Sequence, residues 1–251
     1  MTGERPSNPP GGVPQGGQAA VAPRTSGAAA GRGAPQNKEL QNQQRPSNGL
    51  RIKLCGVRTA KDALLCAEAG ADKVGIVFTP SSKRCVTLAT ARMVRDALPP
   101  DLRLISVFLD AAAAQIEEML GQVKLDAVQL HGSLPQRLPA GVEVYVALHV
   151  GKLGDLARIR ELPFASRVLL DSPRGGGSGA IFDWSLARAA REHGPRSLFI
   201  AGGLTPDNVS EAVRLARPDG VDVATGIEGA DGFKDPGRVR AFVRAVKEAA
   251  P

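Results

Sequence analysis

Two residues end short apolar runs of the sequence, and both have side chains suited to moving protons. Cys55 closes the run 51–55 directly before a glycine, and Asp171 closes the run 167–171. A thiolate held by positive charge can act as a base, and a partly desolvated carboxyl group can act as an acid. Each residue also has a structural interpretation, because free cysteines are often buried and aspartates often bind backbone N–H groups. Residue type leaves both alternatives open.

Glycines follow two other apolar runs near the end of the chain. Gly202 and Gly203 lie in AGGLTP, and Gly226 lies in VATGIEG. Glycine lets backbone N–H groups approach an anion closely, so these loops indicate a phosphate site, with tight turns as the alternative. A third glycine run, 175–179, predicts a flexible loop before them.

Three other polar residues follow strand-like runs. Arg84, in TPSSKRCV, is suited to bind a carboxylate through two hydrogen bonds, or it is an exposed loop arginine without a partner. His131 and His149 are suited to contact a ligand or to bridge backbone groups, and a structural role is favoured for both.

Eight apolar runs alternate with helix-like segments from Arg51 onward. The strands are predicted at 51–55, 73–78, 103–109, 126–131, 142–149, 167–171, 197–201 and 220–226. Helices are predicted at 59–70, 87–98, 112–122, 152–162, 183–193, 205–217 and 235–249, with little helix after the fourth strand. This alternation predicts an α/β protein with a TIM (β/α)₈ barrel, whose active site lies at the carboxyl ends of the strands. A doubly wound open sheet is the alternative, although its glycines usually follow the first strand.

The first fifty residues have a different composition. They hold seven Pro, nine Gly and no aromatic residue, too little apolar surface to offset the entropy of ordering. We therefore predict a disordered tail over residues 1–49 and a catalytic barrel domain over residues 50–251.

Composition excludes several function classes. The net charge is +7, but five Lys or Arg against two Asp or Glu lie within residues 1–50, and aromatic residues make up 4% of the chain. A concentrated basic face with aromatic platforms for nucleic acid is therefore not expected. Cys55, Cys66 and Cys85 form no CxxC pair, which argues against a disulfide framework or a zinc site. No apolar run is long enough for a membrane span, so we expect a cytoplasmic protein without a membrane partner.

Seven blocks of the sequence, in order, resemble the phosphoribosylanthranilate isomerase family of tryptophan biosynthesis. The blocks are KLCG, EAGADKVGIVF with SSKR, QLHG, LLDS, GGGSGAIFDW, AGGLTPDNV and GVDVATGIEG with KD. The resemblance runs from about Arg51 to the C-terminus and leaves out the tail. It implies an Amadori rearrangement of a phosphosugar, in which an aminoaldose becomes an aminoketose, without a metal or an organic cofactor.

The resemblance also implies roles for individual residues. The family's catalytic base and acid match Cys55 and Asp171, and the arginine that binds the anthranilate carboxylate matches Arg84. His131 is included among the substrate-binding residues. The phosphate is expected on the backbone of Gly202, Gly203, Gly226 and Ile227.

Three departures from the family pattern concern Ala201, Ala224-Thr225 and Cys85. Ala201 replaces a usual serine, Ala224-Thr225 replaces a serine pair, and Cys85 replaces a frequent aromatic residue. They leave open whether Thr225 or Ser178 contacts the phosphate.

Two other functions compete with the isomerase. Another phosphosugar barrel, such as an indole-glycerol-phosphate synthase or a dual-substrate histidine and tryptophan isomerase, usually needs a catalytic Lys or paired Asp residues, and no suitable lysine ends a strand. A silent phosphate-binding scaffold with a basic tail would make Cys55 and Asp171 dispensable. The assembly is expected to be a monomer or a homodimer.

Overall fold

Eight parallel strands of the chain form a closed ring. The computed structural model describes residues 49–163, 166–173 and 183–250. The strands are β1 Arg51–Cys55, β2 Lys73–Val77, β3 Arg103–Leu109, β4 Ala127–His131, β5 Glu143–His149, β6 Arg167–Asp171, β7 Leu198–Ile200 and β8 Gly220–Val223. They pair in chain order, and β8 pairs with β1. The predicted TIM barrel is confirmed, and the open doubly wound sheet is wrong.

Two predictions fall on residues that the structure does not describe. The predicted tail, apart from Gly49, and the glycine run 175–179, which includes Ser178, lie outside the described residues.

Helices connect most of the strands. The α-helices are α1 Ala60–Ala69, α2 Leu88–Ala97, α3 Ala113–Gln122, α4 Trp184–Ala190, α5 Val209–Ala216 and α6 Pro236–Ala249. The 3₁₀-helices are Leu153–Glu161, Arg191–His193 and Thr225–Ile227. None of the helices in the described part of the chain is long and apolar enough to span a membrane.

Local hydrogen bonds explain where several helices begin. Thr59 accepts a hydrogen bond from the Asp62 N–H at the start of α1, and Asp235 accepts one from Arg238 at the start of α6. Such side-chain caps satisfy N–H groups that have no partner within the helix. These caps help to fix where α1 begins after β1 and where α6 begins after the loop that follows β8.

Three predicted helices differ from the observed ones. The segment 152–162 is a 3₁₀-helix, Leu153–Glu161, because Gly154 lies within it and Pro163 follows it. The segment 183–193 divides into α4 and a 3₁₀-helix. The segment 205–217 becomes helical only at Val209, because the Asn208 side chain binds the Thr205 N–H and the Gly203 carbonyl in a turn.

Side chains fill the barrel interior below its carboxyl end. Tyr145 and Phe199 meet edge to face, with ring centroids 5.3 Å apart. They belong to a buried apolar cluster with Ile105, Ala127, Ala147, Leu169 and Ala201. A second, larger core lies between the strands and the helices. The interior cluster closes the barrel from below and forms the floor of any site above it.

Charged side chains close the amino end of the barrel around Glu143. The Glu143 carboxylate lies 2.6 Å from Arg103 Nη1, 3.2 Å from Arg167 Nη2 and 4.0 Å from Lys73 Nζ. Burial would raise the pKa of Glu143, but these cations hold it below its ordinary value. The same burial lowers the pKa of Lys73 to about 8. This end is therefore sealed by ion pairs.

The substitution Gly220→Ala is expected to destabilise the barrel, because a Cβ at this position in β8 would overlap the Phe199 ring. Overpacking a filled core costs about 1–3 kcal/mol, which urea unfolding followed by circular dichroism measures. Gly121→Ala in α3 is the matched control, since its Cβ meets nothing within 4 Å. That control should be neutral or stabilising by up to about 1 kcal/mol. An unchanged free energy of unfolding for Gly220→Ala would contradict the packing described here.

Candidate active site

A cavity of about 710 Å³ opens at the carboxyl end of the barrel. The predicted site residues that line it are Cys55, Arg84, His131, Asp171, Gly202, Gly203 and Gly226. Ile227 does not line it, because its side chain is fully buried and its N–H donates to the Ala224 carbonyl. The fold thus brings together residues from the ends of β1, β2, β4, β6, β7 and β8.

Cys55 is the last residue of β1 and is 7% exposed. Burial raises the pKa of its thiol, because the charged form loses solvation, and the nearby Lys53 ammonium opposes this rise. Lys53 is fully buried and donates to Asp222 Oδ1 at 2.9 Å. The structure therefore places a buried thiol, which lines the cavity, close to a buried ion pair.

Asp171 is the last residue of β6 and is 2% exposed. Burial raises the pKa of its carboxyl group to about 6, although the Ser172 N–H donates to Oδ1 at 2.7 Å and favours the charged form. Gly202 lies against the same carboxyl group, and a Cβ there would sit 2.8 Å from Oδ1. The absence of a side chain at Gly202 leaves room for the Asp171 carboxyl group.

Two histidines line the cavity and also make structural hydrogen bonds. The His149 Nδ1 lies 3.1 Å from the Ser172 carbonyl, an oxygen to which Nδ1 can only donate. The Gln129 amide donates to His131 Nε2 at 2.7 Å. Burial lowers the pKa of His131 to about 4, so this ring is neutral at neutral pH. The structural role favoured for both residues is compatible with a ligand contact as well.

Arg84 is 7% exposed and its guanidinium is held by the loop after β8. Its Nε and Nη2 donate to the Glu228 carboxylate at 2.6 and 2.8 Å, and Nη2 also donates to Thr225 Oγ1 at 2.9 Å. Lys234 Nζ donates to the same carboxylate at 3.2 Å. The alternative of an exposed arginine without a partner is therefore wrong. Among the described residues, Nη1 makes no hydrogen bond.

The two glycine loops contact each other at one side of the cavity. Gly202 and Gly203 have φ values of 80° and 67°, a conformation that glycine adopts without strain. A Cβ at Gly226 would overlap the Leu204 carbonyl oxygen. The backbones after β7 and β8 thus approach more closely than side chains would allow.

Residue patterns alone missed Lys53, Asp222, Glu228 and Lys234. Lys53 lies two residues before Cys55 on the same strand, so both point to the barrel interior. A charged residue inside a buried strand was the available signal for Lys53 and for Asp222. Glu228 and Lys234 sit in a loop, where charged residues are ordinary, so no pattern distinguished them.

The sequence matches one family model, described as "N-(5'phosphoribosyl)anthranilate (PRA) isomerase", over residues 52–245. It is 42% identical over 203 residues to the N-(5'-phosphoribosyl)anthranilate isomerase of Geobacter sulfurreducens, covering 79% of this chain and 98% of that protein. It is 44% identical over 205 residues to the Myxococcus xanthus isomerase, covering 79% of this chain and 96% of that protein.

Solved structures of the same family resemble this fold. The Thermotoga maritima phosphoribosyl anthranilate isomerase matches with a TM-score of 0.74 and 37% identity, covering 79% of this chain and 99% of that one. An isomerase in complex with reduced 1-(o-carboxyphenylamino)-1-deoxyribulose 5-phosphate matches at 0.69 and 34%, with the same coverage. Another Thermotoga structure, of monomers generated from a dimeric isomerase, matches at 0.72 and 34%, again with that coverage.

Proposed function

Because the chain belongs to the N-(5'-phosphoribosyl)anthranilate isomerase family, we propose that Cys55 and Asp171 catalyse the family reaction as base and acid. The activity is the Amadori rearrangement of N-(5'-phosphoribosyl)anthranilate to 1-(2-carboxyphenylamino)-1-deoxyribulose 5-phosphate in tryptophan biosynthesis. The observation that supports the residue assignment is one cavity lined by a thiol from β1, a carboxyl group from β6 and the glycine loops after β7 and β8.

The first step of the proposed mechanism opens the ribose ring. Asp171 donates its proton to the ring oxygen, the bond between that oxygen and C1′ breaks, and the anilino nitrogen lone pair forms a Schiff base at C1′. A carboxyl group whose pKa is raised by burial to about 6 is suited to this step, because a useful fraction stays protonated near neutral pH.

The second step moves a proton from carbon. The Cys55 thiolate removes the proton at C2′, the electron pair forms a double bond to C1′, and the nitrogen recovers its lone pair. The resulting enolamine then becomes the ketone by moving the hydroxyl proton from C2′ and adding a proton at C1′. The substrate has gained one proton from Asp171 and given one to Cys55, so its composition is unchanged, and proton exchange with solvent returns both side chains to their starting forms. Because Cys55 and Asp171 lie on well-separated strands, they can reach opposite parts of one sugar.

Substrate anions are proposed to bind at two places in the cavity. The backbone at Gly202, Gly203 and Gly226 would hold the phosphate, supported by the positive φ values of the first two. Ile227 is a weaker candidate in this structure, since its N–H is bound to the Ala224 carbonyl. Arg84 would bind the anthranilate carboxylate through the side of its guanidinium that Glu228 does not occupy.

His131 would contact the substrate as a neutral ring. It lines the cavity, and its low pKa of about 4 keeps it uncharged during turnover. Thr225 Oγ1 accepts a hydrogen bond from Arg84, so its hydroxyl proton is still available to donate to a phosphate oxygen.

We also propose that residues 50–251 form the catalytic domain. The family match over residues 52–245 and the position of the described strands between Arg51 and Val223 support this. A monomer or a homodimer is proposed as the assembly, the Thermotoga relative being described as dimeric. The cytoplasm is proposed as the compartment, which the three free cysteines favour.

Cys55→Ser and Asp171→Asn are each expected to lower kcat at least about 100-fold, since general acid–base catalysis contributes that much or more. An alcohol is a far weaker base than a thiolate, and an amide cannot take the place of the acid in giving up a proton. Turnover is followed as loss of substrate fluorescence with freshly generated N-(5'-phosphoribosyl)anthranilate, beside the unmodified full chain. Inorganic phosphate should still bind both variants. Near-normal kcat in either variant would remove that residue from the mechanism.

The pH profile of kcat/KM is expected to show a plateau. The active form needs Asp171 protonated and Cys55 ionised, yet burial raises both pKa values, that of Asp171 to about 6. Below about pH 6 the rate rises with the thiolate fraction. Between the two pKa values, the gain in thiolate cancels the loss of protonated Asp171. Above the thiol pKa the rate falls, because only the loss of protonated Asp171 remains. A rate that falls tenfold per pH unit from pH 6.5 to 8.5 would contradict this pair of roles.

Arg84→Ala is expected to raise KM by about 10-fold or more and to change kcat less, because charge-assisted hydrogen bonds are worth about 1.5–3 kcal/mol. In this variant the Glu228 carboxylate, no longer bound by Arg84, would also repel the substrate carboxylate. Arg137→Ala is the control, since this arginine forms a surface ion pair with Glu117 and its side chain is 78% exposed. Equal KM values for the Arg84 variant and the control would assign Arg84 a structural role only.

A further inference from the structure

Lys53 is a charged side chain in the interior of the barrel, with 0% exposure. It lies in β1 with its amine 2.9 Å from Asp222 Oδ1 in the neighbouring strand β8. Removing an ammonium and a carboxylate from water is expensive, and a buried ion pair often stabilises a fold no better than apolar residues would. The stability of the fold therefore does not explain why this ion pair is present. Its position next to the cavity residues offers another explanation.

The Lys53 amine and the Cys55 thiol both border the space that a glycine leaves inside the barrel. This glycine is Gly75 in β2, and it is the residue paired with Cys55 of β1. A Cβ built on Gly75 would lie 2.6 Å from Cys55 Sγ and 3.1 Å from Lys53 Nζ. The Lys53 ammonium and the Cys55 thiol are therefore neighbours, close enough for the ammonium to favour the thiolate. The neighbouring strands β8, β1 and β2 thus place Asp222 beside Lys53 and Lys53 beside Cys55.

Other charged and titratable groups also act on the Cys55 thiol. Lys53 and Lys234 favour the thiolate, and Asp222 opposes it. The Arg84 guanidinium interacts with the thiol from the loop after β2, and the buried Cys66 thiol does so from α1.

Each of these cations has a carboxylate partner that offsets its charge near the thiol. Arg84 and Lys234 bind Glu228, and Lys53 binds Asp222. Lys53 has the largest favourable effect of these cations on the thiolate, and its Nζ lies beside Sγ at Gly75. Lys53 is therefore the cation in the best position to control ionisation of Cys55.

We infer that Lys53 is a positioning residue for the isomerase reaction: its ammonium, oriented by Asp222, stabilises and directs the Cys55 thiolate that removes the C2′ proton. This inference rests on the proposed role of Cys55 as the base. It explains how a thiol in a desolvated strand end becomes ionised often enough to act. Asp222 has a double role, because it keeps Lys53 charged and in place while its own charge limits the effect on the thiol.

The test measures ionisation of Cys55 without substrate. The full chain is alkylated with iodoacetamide at a series of pH values, and the rate at Cys55 is measured by mass spectrometry of its peptide. Cys85 is exposed and serves as a control thiol in the same sample. In Lys53→Met, the midpoint for Cys55 should move up by about one to three pH units, the usual effect of losing a neighbouring opposite charge. The Cys85 midpoint should not move.

Asp222→Asn should give the opposite sign. With the carboxylate removed and the ammonium retained, the Cys55 midpoint should move down. A merely structural pair would shift Cys55 in the same direction in both variants, through loosened packing. The surface substitution Lys124→Met is the control for loss of a positive charge elsewhere, and it should leave the midpoint unchanged.

A double variant tests the same inference if Lys53→Met alone does not fold. Lys53→Met/Asp222→Asn removes both buried charges, and its Cys55 midpoint should still lie above that of the unmodified chain. Its kcat/KM plateau should be lower and should extend to higher pH. An unchanged midpoint in a folded Lys53→Met or double variant would overturn the inference and leave Cys55 as a possible base. Normal turnover in Cys55→Ser would instead overturn the proposed function, whatever the midpoints show.

Discussion

Closure of the parallel ring is the constraint on which the site depends. Because the eight strands are parallel and β8 pairs with β1, their carboxyl ends form one closed rim, and Cys55 and Asp171 line the same cavity. The same closure brings Asp222 against Lys53, 169 residues earlier in the chain. An open sheet would leave β1 and β8 apart, and neither the cavity nor the ion pair beneath it would form.

Burial sets the chemistry of this rim. It raises the pKa values of both the thiol and the carboxyl group, which helps a proton donor and hinders a base. The fold gives these two groups different neighbours. Asp171 has a backbone N–H as its nearest polar partner and keeps its raised pKa, whereas Cys55 lies beside an ammonium. The proposed acid and the proposed base thus have different nearest partners within one cavity.

Local patterns predicted most of the fold and much of the site. Apolar runs located the eight strands, since buried parallel strands need continuous apolar residues. Helix ends were predicted less well, because the turn that Asn208 makes with Gly203 and Thr205 delays α5. The cavity contains the predicted Cys55 and Asp171, because residues at strand ends in such a barrel must meet.

The sequence by itself determined the alternation of strands and helices, the family and the residues that can move protons or approach a phosphate, because these depend on residue type and local order. The tertiary structure decided which charges meet. Arg84 is held by Glu228, 144 residues away, and Lys53 by Asp222. A charged residue in an apolar strand is a local signal for Lys53 and for Asp222, but no local pattern gives the partner of either, because partners so distant in sequence meet only when the ring closes.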